Sequence, residues 1–474
     1  MADDDIAFLD LLSLASLIAR RDLSPVAVTR SMIERIERFD GILHSYAHVL
    51  ADLALSQAHR AEEEIGRGAL RGPLHGVPIA VKDLCFTQGL PTSAGMPLHR
   101  DFRPSFDATV VRRLAEAGAV LLGKTQMTEG AYADHHPLVP VPVNPWSGAH
   151  WSGVSSSGSG VATAAGLCFA ALGSDTGGSI RYPAAANGVT GLKPTFGRVS
   201  RHGVFGLSFT LDHVGPLART AADTGAVLGV IAGPDPQDVM TSLRPVDDYL
   251  DGVDRGVEGL RIGLDPEFAF AGVDPVTAEA TQAAVGLLVS QGAIVDEVRM
   301  PDWRTMMETL LPIVAADAAV AHATTYPQQA EAYSQSFREF LDMGRAMKAT
   351  QLADILASRA VFSGHMDRLF QHIDLLACPA LPLPLPRIDM MQLGGDDSGA
   401  LEQLLRFTAP FNMSGLPTIT VPAGFTDEGL PIAMQFVGGR FCERLVVRAG
   451  HAYQSVTDWH RRRPPIAISR EDPA

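Results

Sequence analysis

Cysteine is scarce in this chain, with 4 residues among 474 and no C-x-x-C pair. A disulfide-stapled scaffold or a zinc knuckle needs more cysteines at closer spacing. Both classes are therefore excluded, and the few cysteines predict a reducing compartment, the cytoplasm.

Positive charge and long apolar runs are also in short supply. The formal net charge is −15, whereas proteins that bind nucleic acid normally carry a basic face. The apolar stretch at residues 11–19 is interrupted by serines and is much shorter than the roughly 20 residues of a spanning helix. Residues 1–5 are acidic, where a secretory signal would be basic. We therefore expect no direct nucleic-acid partner and no membrane partner.

Lysine is as scarce as cysteine, with four residues against 34 arginines. Arginine stays protonated in proteins, whereas a buried lysine can lose its proton and act as a base. Because this chain uses arginine where a cation only has to be charged, each lysine is a candidate for a residue that must become neutral. The four are Lys82, Lys124, Lys193 and Lys348.

The apolar residues, 46% of the chain, are arranged as short strands that alternate with helices. This alternation predicts an α/β fold with a large mixed, partly parallel β-sheet covered by helices on both faces. We expect one structural domain overall. In it, a helical region at residues 1–70 packs on the main part at residues 71–474, and residues 235–374 form a variable pocket wall.

Residues 118–125 match the phosphate-binding pattern G-x-x-x-x-G-K-[ST]. That loop follows a strand, precedes a helix and has flexible residues inside. Here the four inner residues are apolar and are themselves typical of a buried strand, and a helix precedes Gly118. The sequence therefore predicts no nucleotide binding.

Two segments rich in serine and glycine carry a stronger signal. Residues 155–160 open directly into an apolar helix, so their free N–H groups and hydroxyls face a common point. In residues 173–183 a strand runs into consecutive glycines and then Ser179. Glycines let a backbone turn several N–H groups inward, as in an oxyanion hole beside a nucleophile.

Together with residues 76–83 around Lys82, these segments resemble the amidase signature family. The resemblance continues, in order, over most of the chain. The sequence departs from the usual pattern at Val154, where the family commonly has glycine, and at Gly160, where it usually has alanine. The further matching segments are residues 188–200, 211–216, 412–417 and 429–431.

The resemblance implies a catalytic triad of Ser179 as nucleophile, Ser155 held by a cis peptide bond, and Lys82 as base. A serine is a weak nucleophile until a base takes its proton. Burial on an apolar strand lowers the pKa of a lysine, and the Ser155 hydroxyl can both accept and donate a proton. A Ser-His-Asp triad is disfavoured because no G-x-S-x-G elbow occurs and no histidine is tied by pattern to Ser179.

Further roles follow for residues beside the triad. The candidate oxyanion hole consists of the backbone N–H groups of Thr176, Gly177, Gly178 and Ser179. The resemblance gives Ser157, Asp175 and Arg181 as supporting residues. It gives Met127 and Tyr132 as residues of the substrate pocket.

The expected activity is hydrolysis of an amide C–N bond through an acyl-enzyme, without a cofactor or a metal. The adjacent His135 and His136 have no third ligand at fitting spacing and are predicted to lie in a loop. The substrate class is a small carboxamide, an aryl or alkyl amide or a carbamate, which releases ammonia or an amine. The resemblance also suggests a homodimer formed through the N-terminal helices.

Other functions stay open at this stage. One is the glutamine-hydrolysing subunit of a tRNA-dependent amidotransferase, against which Tyr182 counts because glutamine is expected at that position. A second is an esterase or urethanase activity on the same catalytic residues. A third is a binding protein that has kept the fold and lost the chemistry, which the intact triad disfavours.

Overall fold

The computed structural model describes residues 3–390 and 403–466. In this part of the chain, eleven strands form one sheet in the order β1-β3-β2-β4-β6-β5-β10-β11-β9-β7-β8. The strands are β1 (Tyr46–Val49), β2 (Pro78–Lys82), β3 (Val120–Thr125), β4 (Ala170–Asp175), β5 (Thr190–Lys193), β6 (His213–Ala218), β7 (Arg261–Leu264), β8 (Ile294–Glu297), β9 (Leu375–Pro379), β10 (Thr418–Phe425) and β11 (Pro431–Gly438).

The sheet is mixed. Strand β2 is parallel to β3 and β4, and β7 is parallel to β8 and β9. The other neighbours are antiparallel. Every residue of β2, β3, β4, β5, β6, β9 and β11 is buried, which requires cover on both faces. The predicted mixed sheet between helices is confirmed.

Fifteen α-helices have both ends within the described ranges. They are α1 (Asp3–Ala7), α2 (Leu11–Ala19), α3 (Pro25–Leu43), α4 (Ala51–Gly66), α5 (Thr109–Glu116), α6 (Ser157–Ala164), α7 (Arg181–Asn187), α8 (Ala221–Ile231), α9 (Pro266–Phe270), α10 (Pro275–Ser290), α11 (Trp303–Ala321), α12 (Gln335–Ala346), α13 (Ala349–Leu369), α14 (Ala409–Met413) and α15 (Glu443–Ser455). None of the helices in these ranges has the length and apolar character that a membrane crossing requires.

The N-terminal region shows how local sequence sets its helices. Helix α3 begins where the Ser24 side chain accepts a hydrogen bond from the Ala27 backbone, with Pro25 at the first helical position. It ends at Leu43. The region also contains strand β1, which the prediction of an all-helical segment missed.

The segment that matches the phosphate-binding pattern is a strand, as predicted. Strand β3 is buried along its whole length, and Gly118 follows α5 with a φ of 77°. Lys124 does not face a phosphate cradle, because its Nζ lies 3.2 Å from a carboxylate oxygen of Asp83 and 2.8 Å from the Thr92 hydroxyl.

Candidate active site

The parallel pairing of β2 with β4 brings the predicted catalytic residues together. Lys82 is the last residue of β2, and Ser179 lies in the short connection between β4 and α7. Because neighbouring parallel strands end at the same edge of a sheet, the lysine and the nucleophile loop meet there. Ser155 reaches the same edge from the segment before α6.

Lys82 is fully buried and has two hydroxyl neighbours. Its Nζ lies 2.7 Å from Ser155 Oγ and 2.9 Å from Ser174 Oγ. Two nearby carboxylates pair with other cations, Asp83 with Lys124 and Asp175 with Arg181.

Burial lowers the pKa of Lys82 to about 7, although the carboxylates of Asp212 and Asp175 act in the opposite direction. An ammonium loses much of its solvation in such a place, which favours the neutral amine. A large fraction of Lys82 is therefore neutral at neutral pH and has a lone pair to accept a proton.

The Val154–Ser155 peptide bond is cis, as the resemblance implied. The Ser155 carbonyl accepts a hydrogen bond from the Thr128 backbone at 3.3 Å. Only 1% of Ser155 is exposed. The hydroxyl between Lys82 and the nucleophile loop is thus shielded from water.

Ser179 is only partly buried, unlike Lys82 and Ser155. Its carbonyl accepts a hydrogen bond from the Ser156 backbone at 3.3 Å. Its hydroxyl forms no hydrogen bond with any residue in the described ranges. The structure therefore contains the link from Lys82 to Ser155, and the Ser179 hydroxyl is accessible and unengaged.

Asp175 organises the nucleophile loop from inside. Its carboxylate accepts hydrogen bonds from the backbone of Gly178 at 2.9 Å and of Ile180 at 3.1 Å. The N–H of Gly178 thus has a partner. The N–H groups of Thr176, Gly177 and Ser179 have none among the described residues, so they are the free donors of the predicted oxyanion hole.

Arg181 holds Asp175 in place by a bidentate ion pair. Arg181 Nε and Nη2 lie 3.0 and 2.9 Å from the two carboxylate oxygens of Asp175, and Asn412 Nδ2 donates to the same carboxylate at 2.8 Å. All three residues are buried. Burial by itself raises the pKa of Asp175, but the charge and hydrogen bonds of Arg181 outweigh it and keep the pKa well below its usual value. The carboxylate therefore stays ionised.

The predicted supporting residue Ser157 contacts a histidine of the loop that precedes it. His135 Nε2 lies 2.9 Å from Ser157 Oγ. Burial lowers the pKa of His135 to about 4, with a smaller contribution from the charge of Lys82. His135 lies outside helices and strands, as predicted, and is neutral at neutral pH.

The two predicted pocket residues differ in exposure. Met127 is fully buried. Tyr132 is half-buried and stacks on Phe340 and Phe337 of α12, with ring centroids 4.0 and 5.5 Å apart. These phenylalanines belong to residues 235–374, the predicted pocket wall.

Helix α11 approaches the nucleophile loop directly. A Cβ placed on Gly177 would lie 3.0 Å from Leu310 Cδ2. A cleft of about 500 Å³ opens farther along α11, where Asp317 and Val320 line it. On its other side the cleft is lined by Asp212, whose carboxylate accepts a hydrogen bond from the Thr176 hydroxyl at 2.5 Å. Asp212 thereby connects the cleft to the oxyanion loop.

Sequence reasoning missed the contacts of Ser174, Asp212 and Asn412. Each stands inside a segment that carries the family resemblance, which is the only signal the sequence offered. Ser174 is identified by its distance to Lys82, and that distance depends on the pairing of β2 with β4.

The fold and this arrangement define the class of the protein, a hydrolase that acts on carbon–nitrogen bonds other than peptide bonds. The model of the amidase family matches residues 27–447. The chain therefore belongs to the amidase family.

Relatives and solved structures agree. AmiD of Mycobacterium tuberculosis, whose amidase assignment is provisional, is 46% identical over 472 residues, 98% of this chain and 97% of AmiD. A glutamyl-tRNA(Gln) amidotransferase component from Chloroflexus aurantiacus strain J-10-fl is 36% identical, over 95% of this chain and 97% of that component. The native peptide amidase of Stenotrophomonas maltophilia is 31% identical with a TM-score of 0.80, over 96% of this chain and 98% of that chain. The 6-aminohexanoate cyclic dimer hydrolase is 27% identical with a TM-score of 0.88, over 97% of this chain and 99% of that chain.

Proposed function

We propose that Lys82, Ser155 and Ser179 form the catalytic triad of this amide hydrolase. The observation that carries the proposal is the 2.7 Å distance between Lys82 Nζ and Ser155 Oγ in a site where burial lowers the pKa of the lysine to about 7. Neutral Lys82 takes a proton from Ser155, which takes one from Ser179. The Ser179 oxygen then attacks the substrate carbonyl.

The N–H groups of Thr176, Gly177 and Ser179 stabilise the oxyanion that forms on the carbonyl oxygen. Ser155 returns the proton to the nitrogen of the scissile bond, the C–N bond breaks, and an amine or ammonia leaves. Water then attacks the acyl-enzyme by the same proton route and releases the acid. In this proposal Asp175 and Arg181 hold the loop in shape, and Ser157 orients the start of α6.

The proposed substrate is a small carboxamide, an aryl or alkyl amide or a carbamate, since a carbamate presents the same carbonyl and C–N bond. Met127 and Tyr132, with the wall formed by residues 235–374, surround its acyl part. The cleft beside Asp212 connects the site to solvent in this proposal. The residues of this wall favour no single substrate.

The direct test is labelling with a fluorophosphonate, followed by intact-mass measurement and peptide mapping. We expect one adduct, on Ser179, at a rate that Lys82→Ala reduces about 100-fold or more, the scale of a general base. The control is Lys348→Ala, which removes an exposed lysine and should leave the rate unchanged. An adduct on another serine, or a rate indifferent to Lys82, contradicts the triad.

A second candidate is hydrolysis of glutamine for a tRNA-dependent amidotransferase, favoured by the 36% identity to a component of such an enzyme. Tyr182 argues against it, because the resemblance places glutamine there in that branch. Its hydroxyl lies 2.9 Å from the Leu404 carbonyl and 2.6 Å from the Thr408 hydroxyl. Measuring ammonia release from glutamine and from benzamide distinguishes this candidate function from hydrolysis of small amides. We expect benzamide to be the better substrate.

We further propose that the enzyme works in the cytoplasm as a homodimer formed through its N-terminal helices. The support for the compartment is that Cys85, Cys168, Cys378 and Cys442 are all free. Light scattering after size-exclusion chromatography tests the dimer. A mass near twice 50.4 kDa supports it, and a single-chain mass contradicts it.

A further inference from the structure

A second cavity, of about 220 Å³, lies where the beginning and the end of the described chain meet. It is lined by residues 8–10, by Arg219 after β6, and by residues 460–463 after α15. We call it the terminal cavity. None of its lining residues belongs to the proposed catalytic site.

Arg219 contributes a buried guanidinium that forms no close ion pair with the described residues, although the charges of Asp223 and Asp10 act on it from farther away. It is 6% exposed. Its Nη2 donates to the Leu9 carbonyl and its Nη1 to the Thr163 carbonyl at 3.4 Å. Its Nε has no hydrogen-bond partner in the described ranges. Buried charges in proteins are normally paired at short range, so a guanidinium that lines a cavity without a close ion pair indicates a place for an anion.

His460 offers a second unsatisfied group in the same cavity. It is 6% exposed, and its Nδ1 has no hydrogen-bond partner among the described residues. Because buried polar atoms usually have a partner, two residues that line one cavity and each carry such an atom indicate a place for a polar ligand there.

The rim of the terminal cavity adds positive charge. Arg461 is exposed, and its side chain forms no hydrogen bond or ion pair within the described ranges. Arg462 stacks on Phe425, 4.6 Å from its ring centroid. Arg463 lies 3.5 Å from Asp5, so its charge is partly neutralised.

One carboxylate, that of Asp10, opposes this charge. Asp10 lines the terminal cavity and its side chain accepts no hydrogen bond from the described residues. The neighbouring Asp223 is already engaged, because its carboxylate accepts hydrogen bonds from the backbone of Leu11 at 3.1 Å and of Leu12 at 3.0 Å. The balance in the cavity remains positive, in a chain whose net charge is −15.

We propose that the terminal cavity binds a phosphate group, held by Arg219 and His460 inside and by Arg461 at the rim. Several N–H donors from guanidinium groups match the oxygens of a tetrahedral anion. The volume equals that of about seven waters at liquid density, which suits phosphate or a small phosphomonoester. The bound anion joins the first helices to the segment after α15.

The test is isothermal titration with inorganic phosphate and, in a second arm, phenyl phosphate, at an ionic strength held constant with sodium chloride. We expect saturable binding of phosphate. Arg461→Gln should weaken it about tenfold, whereas Asp10→Asn should tighten it because a repelling charge is removed. If phenyl phosphate binds more tightly than inorganic phosphate, the ligand of the terminal cavity is a phosphomonoester. If it binds equally or more weakly, the ligand is free phosphate.

Two controls make the test specific. Arg100→Gln removes an exposed arginine elsewhere and should leave binding unchanged. Fluorophosphonate labelling of Ser179, which fills the oxyanion hole, should also leave binding unchanged, and this separates the terminal cavity from phosphate bound at the catalytic site. The proposal is overturned if phosphate binds no better than chloride, if Arg461→Gln behaves like Arg100→Gln, or if Asp10→Asn weakens binding.

Discussion

At the scale of single residues, the two hydroxyls beside Lys82 have different uses. A neutral amine has two N–H donors and one lone pair. If Ser174 accepts an N–H at 2.9 Å, the lone pair is free to face Ser155 at 2.7 Å. Ser174 then acts as a positioning residue for the base.

The pH dependence of the reaction should report the pKa of Lys82. The amine must be neutral to take a proton, and burial lowers its pKa to about 7. For a neutral amide, kcat/KM should therefore rise about tenfold per pH unit below pH 7 and level off above it. Initial rates from pH 5 to 9 measure this. A flat profile, or a midpoint near that of an ordinary lysine, would exclude Lys82 as the base.

Replacing Ser174 tests the positioning role. Ser174→Ala should reduce kcat/KM by about tenfold, the scale of a hydrogen bond to a group that becomes charged. It should also move the pH midpoint lower, because an acceptor that stabilises the ammonium is lost. Ser174→Thr keeps a hydroxyl and should recover most of the activity. A loss of activity with an unchanged midpoint in Ser174→Ala would indicate a structural role only.

At the scale of elements, the connection between β4 and α7 depends on a buried ion pair. Asp175 accepts N–H groups of the loop and is itself held by Arg181. Removing the arginine would leave a buried carboxylate without a cation, which typically costs about 3–5 kcal/mol. The shape of the oxyanion loop and the stability of the fold therefore depend on the same contact.

Arg181→Met should lower the free energy of unfolding by about 3–5 kcal/mol and slow the labelling of Ser179. The matched control is Arg444→Met, since Arg444 pairs with Asp251 at 2.8 Å with both side chains 51% exposed. Exposed pairs contribute about 1 kcal/mol or less. Urea unfolding followed by circular dichroism measures the free energy of unfolding of both variants. An equal decrease in the two would contradict a special contribution of the buried ion pair.

The elements also show what the sequence could and could not predict. The buried strand within residues 118–125 and the apolar strand that carries Lys82 were predicted, and with the latter the burial of Lys82. Strand β6 was missed because it contains Gly215 and Pro216, which usually argue against a central strand. Strand β1 was missed because it is a short, partly exposed edge strand of four residues. The contact of Lys82 with Ser174 depends on pairing between distant segments, which local pattern does not encode.

At the scale of the whole molecule, the N-terminal helices share the core of the sheet. Leu14 of α2 and Ile36 of α3 are 0% and 2% exposed and belong to the same buried cluster as β2 and β4. This supports the proposal that residues 1–70 are part of one structural domain.

One domain should unfold in one transition. Leu14→Ala should lower the free energy of unfolding by about 2–5 kcal/mol, as for buried leucines in general, with the loss of secondary structure and of Ser179 reactivity still coinciding in urea. Leu53→Ala, which truncates a leucine that is 36% exposed, should have a much smaller effect. Separate transitions for the two probes would show that the N-terminal region folds independently.

The placement of the lysines has a practical consequence. Lys82, Lys124 and Lys193 are each 0% exposed, whereas Lys348, just before α13, is exposed. A reagent that acylates amines therefore meets a single lysine on the folded surface. Once the α-amino group of the chain is blocked, the protein can be attached to a bead, a sensor chip or a dye through that one side chain, in a known orientation.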